Sequence, residues 1–307
     1  MRAIVHIGLS WRGYDRPQGP KPPEELDRDK QRVRGILQRM GYDDLFQPEQ
    51  PSYDFALGKG DKRLGVLIEE LQKWPELASP NIQVEKYYTR QELESAELFI
   101  WGPTNQAIED DYYDFYAEGE EHRDLYRYCL ACGAPLEQIR EIIVNKARMG
   151  QKDVSLTYSD EVILAEWVGH LLQEHQLTGF DLWPVHHYKK PHKGEPTLYQ
   201  LKVTNVLPPM ASPPTEFEQF HDCAVCGRTS RFLKHTHWWG KIQYYEDTDV
   251  YYPRSVLEVA TDFNHTVEYF GELRVAHPMI IITQRVYQLL REHKVKNWAA
   301  VPVYLVE

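Results

Sequence analysis

The spacing of apolar positions along this chain changes several times, and each change marks an element. Arg2–Leu9 carries a short apolar run that reads as an opening strand. Glu24–Met40 follows a helical period, and Gly41 supplies a residue suited to end it. A second helix is predicted from Asp61 to Trp74, with the Asp61 carboxylate placed to accept from first-turn N–H groups. Ile82–Tyr88 and Leu98–Trp101 read as strands. Proline-rich connectors fall at Pro17–Pro23, Pro48–Pro51 and Pro208–Pro214. Gly58-Lys59-Gly60 lacks the spacing and the Ser/Thr of a phosphate-binding loop.

The later pattern occurs twice. Ala165–Val185 aligns without a gap on Thr283–Val303 at an offset of 118 residues. Val168 falls on Val286, Leu171-Leu172 on Leu289-Leu290, Glu174-His175 on Glu292-His293, and Pro184-Val185 on Pro302-Val303. Each copy begins with an apolar run, Val162–Leu164 or Met279–Ile282, and continues as a helix with one apolar stripe. Thr178-Gly179 and Lys296-Asn297 are predicted to stop the helices, because glycine and asparagine tolerate left-handed φ. A strand then closes each copy, Phe180–Tyr188 or Trp298–Val306, with Pro184 and Pro302 suited to a sheet edge or bulge. The shared Glu-His reads as solvated surface near the helix C-terminus.

At 307 residues the chain has ample material for a core. Its net charge of −11 argues against a general nucleic-acid binder, whose footprint is basic. No apolar run is long enough for a membrane helix, and the first residues lack the apolar length of a signal peptide. A cytoplasmic location is the resulting expectation.

The chain's 4 cysteines form two copies of one pattern, Cys129-Leu130-Ala131-Cys132-Gly133 and Cys223-Ala224-Val225-Cys226-Gly227. Two cysteines three apart can grip one ion from a single turn, and a glycine after the second accommodates positive φ. Four thiolates complete the shell of a closed tetrahedral zinc site. Disulfides, a redox pair and inert thiols are the competing readings. With zinc bound by Cys129, Cys132, Cys223 and Cys226, one structural ion is expected, because no position is left for water or substrate. The long separation implies a zinc ribbon split by an inserted folded unit. Each cysteine pair precedes one copy of the helical repeat, which suggests two related halves.

Glu109–Asp124 is the most acidic stretch, with eight carboxylates, one arginine and four aromatics. It reads as a solvated loop or, more sharply, as a contact surface for a basic protein. His186, His187 and His192 cluster, as do His235 and His237. His186 and His187 alternate faces on a strand, which disfavours one shared ion. Lys189–Gly194 reads as a hairpin loop. No nucleophile elbow, dinucleotide fingerprint, metalloprotease helix or deaminase motif is present, so no catalytic residue is assigned and a non-enzyme is expected.

The two Cys-x-x-Cys-Gly knuckles, widely separated, and the terminal strand–helix–strand unit with its Leu-Leu helix and Pro-Val strand resemble the double-CXXCG motif family of bacterial proteins. That family was first noticed as a paralogous group in myxobacteria. The resemblance covers roughly residues 120–307, and about 120 residues precede the first knuckle here, more than the family pattern leads one to expect. Some members are described as immunity proteins paired with toxins of contact-dependent competition. The resemblance therefore implies a non-catalytic binding protein that neutralises a toxin, with a basic toxin on the acidic 109–124 segment as partner. The alternative is a zinc-ribbon adaptor in an intracellular assembly associated with transcription or translation. The expected fold class is α/β (α+β): two related strand–helix–strand halves sharing a split zinc ribbon, plus an N-terminal α/β portion. The expected domains are 1–120 and 121–307, with the repeat at about 153–188 and 267–306.

Overall fold

The computed structural model describes residues 2–10, 22–47, 52–74, 82–104, 107–108, 125–187, 197–272 and 275–307. The acidic Glu109–Asp124 segment, His192 and the 189–194 loop lie outside the described residues. The first elements are β1 (Arg2–Ser10), α1 (Pro23–Arg39), β2 (Ser52–Gly58), α2 (Lys62–Lys73), β3 (Gln83–Tyr87), α3 (Arg90–Ser95) and β4 (Leu98–Pro103). Next come β5 (Tyr126–Tyr128), β6 (Pro135–Gln138), β7 (Ile143–Val144), β8 (Val154–Leu156), β9 (Val162–Ala165), α4 (Glu166–Glu174), β10 (Phe180–Pro184) and β11 (His186–His187). They are followed by β12 (Leu198–Val203), β13 (Phe217–Asp222), β14 (Thr229–Leu233), β15 (Thr236–Trp239), β16 (Ile242–Glu246) and β17 (Tyr251–Pro253). β18 (Phe263–Phe270), β19 (His277–Thr283), α5 (Gln284–Glu292) and β20 (Trp298–Val306) complete the chain. Both helices and strands are abundant, as the α/β expectation requires.

The chain forms two compact units, one of Met1–Leu93 with Lys234–Thr248, the other of Glu94–Leu233 with Asp249–Glu307. In the first unit a five-stranded sheet runs in the order β15-β16-β3-β1-β2. Val5, Ile7 and Leu9 of β1 pack with Val33, Ile36 and Leu37 of α1 and with Leu64, Leu67 and Leu71 of α2. Asp61 caps α2 by accepting from the Arg63 N–H at 2.9 Å, and Gly41, with φ 78°, follows the end of α1. The hairpin β15–β16 joins this sheet through a parallel pairing of Tyr245-Glu246 with Gln83-Val84.

These units differ from the expected 1–120 and 121–307 division at two places. Residues 234–248 group with the first unit, and β4 groups with the second. The reason for the latter is burial. Leu98, Phe99 and Trp101 are buried, so consecutive positions on both faces of β4 need cover. β4 obtains it as an inner strand of the seven-stranded sheet β13-β14-β18-β19-β4-β20-β17. The second unit also contains the four-stranded sheet β10-β12-β9-β8.

The inner part of the larger sheet and the smaller sheet are copies of one design. The strand order β18-β19-β4-β20 corresponds to β8-β9-β12-β10. Ile163 pairs with Gln200 and Ser155, and its counterpart Ile281 pairs with Ile100 and Asn264. Phe180 pairs with Val203, and Trp298 with Pro103. Thus β12 matches β4 at an offset of 100, and β10 matches β20 at 118. In chain order each repeat is therefore a first strand, a cysteine hairpin, a strand pair, a helix and a last strand. The first strands are exchanged: β4, which opens the first repeat, completes the second sheet, and β12, which opens the second, completes the first.

Local geometry follows the same symmetry. Each helix ends a turn earlier than the glycine and asparagine suggest. Gln176 (φ 50°) and Lys294 (φ 55°) take the left-handed position directly after the His175 and His293 caps. Leu177 N–H donates to the Leu172 carbonyl and Val295 N–H to that of Leu290, closing the same helix-terminal motif twice. Gly179 (φ 87°) and Asn297 (φ 68°) then make a second left-handed turn. A Cβ on Gly179 would lie 2.1 Å from the Phe263 carbonyl oxygen, so only glycine fits there. His175 and His293 are exposed, yet their rings meet edge to face at 5.6 Å where the two helix ends converge. Pro184 lies on the edge strand β10, while Pro302 pairs with β4 and β17 pairs only with residues 304–306 of β20.

An aspartate from each repeat caps the turn of the other. Asp262 accepts from Thr178 N–H at 2.8 Å, and Asp153 accepts from Lys296 N–H at 2.8 Å. Asp262 is only 8% exposed and also receives Arg285, whereas Asp153 is half-exposed and receives the Trp167 indole. Removing a buried acceptor strands its donors. Asp262→Ala should therefore cost about 3 kcal/mol and Asp153→Ala about 1 kcal/mol or less in denaturant unfolding. Equal costs would show that the reciprocal caps do not carry the predicted difference.

Candidate metal centre and the adjoining polar network

The two knuckles are tips of the hairpins β5–β6 and β13–β14, and their backbones are alike. Cys129 N–H donates to Ala134 and Gly133 N–H to Cys129; Cys223 N–H donates to Arg228 and Gly227 N–H to Cys223. Gly133 and Gly227 have φ of 72° and 71°, the left-handed geometry that lets the turn close. The four sulfurs lie within 4.8 Å of one another. The Cys129–Cys223 and Cys132–Cys226 Sγ separations are both 3.8 Å. A tetrahedral ion with metal–sulfur bonds of about 2.3 Å has sulfur–sulfur edges of about 3.8 Å, so the donor set fits such an ion. Cys129 and Cys223 are buried, and Cys132 and Cys226 half-buried.

The electrostatics favour thiolate at the first cysteine of each pair. Backbone N–H groups of Cys132 and Ala131 lower the Cys129 pKa, and those of Cys226 and Val225 hold Cys223 down at about 6. Burial pushes Cys132 up to about 12. The arrangement can hold a metal ion, and all four predicted ligand residues, Cys129, Cys132, Cys223 and Cys226, are brought together.

The histidines play other parts. His186 pairs with Glu141, while His187 lies beside Val144 in the β11–β7 pairing. His235 stacks on Tyr245 and His237 on Tyr244 in the first unit. Among the described residues the cysteine quartet is the one cluster of metal-ligating side chains.

The sequence reading missed a polar network in the second unit. The Glu161 carboxylate accepts from the Tyr126 hydroxyl and, at 2.5 Å, from the Gln200 amide, with Lys202 Nζ at 3.8 Å. Gln138 and Gln200 exchange two amide hydrogen bonds of 2.8 Å, and Lys202 Nζ donates to Gln138 Oε1 at 2.7 Å. Beside it, Asp160, held at φ 60°, faces His277 Nε2 at 3.6 Å. Burial keeps the pKa of both His277 and His265 low, His265 at about 4. Glu161 opposes the shift at both rings and Asp160 does so at His277; Lys202 reinforces it at both and Arg228 at His277. Scattered across 150 residues, these positions share no motif, and only the matched repeats would have grouped them.

No family model matches this chain, and no curated protein matches it either.

A histidine whose folded pKa is depressed contributes no penalty above its unfolded value and destabilises the fold as pH falls below it. For His265 the loss should begin near pH 6.5, reach about 2 kcal/mol at pH 5, and level off near pH 4. Unfolding free energies measured across this range should show a shallower acid slope for His265→Gln. An unchanged slope would rule out a neutral, half-buried imidazole at this position.

Proposed function

We propose that this chain is a zinc-clasped, non-catalytic binding protein, and specifically an immunity protein that captures and neutralises a toxin. The observation that carries the first part is the sulfur tetrahedron. Four thiolates fill the zinc shell and leave no place for water or substrate, so the ion acts as a cross-link between hairpins. Soft, all-thiolate donors suit zinc, and a zinc ion so held adds its binding free energy to folding. The second part is supported by the resemblance of the paired Cys-x-x-Cys-Gly knuckles to a family with immunity members. It is also supported by the net charge of −11, which would steer a basic protein toward this chain.

Elemental analysis should find one zinc per chain, with thiols masked until chelation. Cys129→Ser and Cys226→Ser should each lower the melting temperature of the second unit, Glu94–Leu233 with Asp249–Glu307, by several degrees. A variant with full stability in excess chelator would remove the structural-zinc reading. For the partner, the zinc-loaded chain should bind the toxin encoded beside its own gene and abolish that toxin's activity. Absence of both effects across the neighbouring toxins would overturn the immunity reading while leaving the zinc clasp intact.

A further inference from the structure

A sheet edge left open is a template for another chain, and proteins guard such edges. Among the described residues, the three larger sheets guard every edge but one. β10 and β17 each end on a proline, Pro184 and Pro253, and β13 is broken by a bulge between Gln219 and His221. β8 is followed by the bridge of Thr157 to Ile108, whose N–H donates to the Leu156 carbonyl at 2.7 Å, and β15 has only 4 residues. The remaining edge is β2 in the first unit. It runs for 7 residues without proline or lysine, in unbroken register with β1 from Ser52 to Gly58.

The pairing decides which main-chain groups of β2 point outward. Residues opposite one another on antiparallel strands alternate between exchanging both hydrogen bonds and exchanging none. Lys59 N–H donates to the Ala3 carbonyl at 2.9 Å, so Val5–Leu57, Ile7–Phe55 and Leu9–Tyr53 are the bonded pairs. Asp54 and Ala56 therefore turn their N–H and C=O groups away from β1, and among the described residues nothing bonds them there. Both residues are exposed. Alongside lies a groove of about 370 Å³, lined by β2 and by Tyr42, Leu45 and Gln47 from the segment after α1. That segment is fixed to the strand. Tyr42 stacks on Phe55 at 5.7 Å, and Gln47 N–H donates to the Tyr53 hydroxyl at 2.6 Å. Leu45 nevertheless stays 46% exposed. Asp54 is the one charged residue of the lining.

We propose that β2 and this groove bind an extended basic segment of another polypeptide, which adds to the sheet as a further strand. Its main chain would bond the outward N–H and C=O groups of Asp54 and Ala56. Its side chains would alternate between the two faces. Apolar ones would enter the groove against Tyr42, Leu45 and Phe55, and a lysine or arginine on the other face would meet Asp54. The same charge selects against a second copy of this chain. β2 carries no cation, and antiparallel pairing with itself would bring two Asp54 carboxylates onto one face. The site lies in the first unit and depends on neither the zinc clasp nor the toxin-binding reading.

The test uses the metal-loaded full chain and a capped, labelled peptide of about seven residues, alternating valine and lysine. Fluorescence anisotropy should show one saturable site of micromolar to submillimolar affinity. In hydrogen exchange, bound peptide should protect the Asp54 and Ala56 amides, while those of Phe55 and Leu57, already in the ladder, change little. Ala56→Pro removes an N–H that the fold does not use. It should weaken binding about tenfold or more and leave the melting temperature unchanged. Asp54→Lys should reverse the preference, favouring a valine–glutamate peptide over the valine–lysine one, and this variant decides the matter if Ala56→Pro disturbs the fold. Equal affinity in a folded Ala56→Pro, or no protection at Asp54 and Ala56, would overturn strand addition. Equal binding of the two peptides by the parent chain would overturn the basic partner. A parent chain that sediments as a dimer, with Ala56→Pro a monomer, would give the edge to a second copy and overturn the proposal as well.

Discussion

Neither sheet of the second unit can be completed by its own repeat. β4 lies between β19 and β20, and β12 between β9 and β10, so the middle of each sheet comes from the other repeat. Removing either strand would split a sheet at its centre, where every ladder hydrogen bond and both buried faces are lost together. The reciprocal aspartate caps and the meeting of the two helix ends follow from this exchange, since it brings each repeat's turns against the other's first strand pair. It also makes folding non-local, because β4 must find residues nearly 200 positions later. A cross-link between points 94 residues apart offsets part of that cost. In a chain-entropy account, closing a loop of that size removes about 4–5 kcal/mol of denatured-state freedom, and four thiolates on one ion would act in that manner.

The same exchange explains how two halves of one design can differ inside. Backbone pairing, caps and helix-terminal turns are set by the repeat and are kept in both. Side chains facing the hairpins are not set by it. One half buries Leu98, Ile281 and Val303 with Tyr252, and the other surrounds Gln200 with Gln138, Glu161 and Lys202. Such a network is tolerated because each member finds partners. Its cost falls on specificity of geometry, since a displaced amide or carboxylate here would be left buried without a bond.

How much of this was legible in the sequence depended on the kind of signal. The two repeat helices were readable because a 3.6-residue stripe and a Pro-Val strand recur at one offset. The wider repeat was not, because its offsets of 94, 100 and 118 differ, and a gapless comparison sees only the segment between insertions. β4 reads as a strand from composition, but nothing local says that its partners lie at the far end of the chain. Gln176 and Lys294 are left-handed without being glycine or asparagine, so the helix ends were placed a turn too late. The four cysteines were fully legible, since their spacing states a ligand set whatever the fold. The polar network was invisible, because Tyr126, Gln138, Glu161, Gln200 and Lys202 become neighbours only after the strands exchange.

The cysteine cluster and the polar network are mechanically linked through one hairpin. β13–β14 is anchored, because β14 pairs with β18 in the seven-stranded sheet. β5–β6 is a two-stranded sheet with no other strand beside it among the described residues, and an isolated hairpin is marginal in water. The quartet of thiols joins the weaker hairpin to the anchored one. Tyr126 and Gln138 lie on that weaker hairpin, and they donate to Glu161 and Gln200 respectively. An ion at the thiols would therefore do more than add stability at the tip. It would fix the position of two network members whose partners sit on β12 and at the start of β9. Loss of the ion would leave the main sheets paired, yet release β5–β6 and with it three of the hydrogen bonds that hold the Glu161 and Gln200 side chains in register.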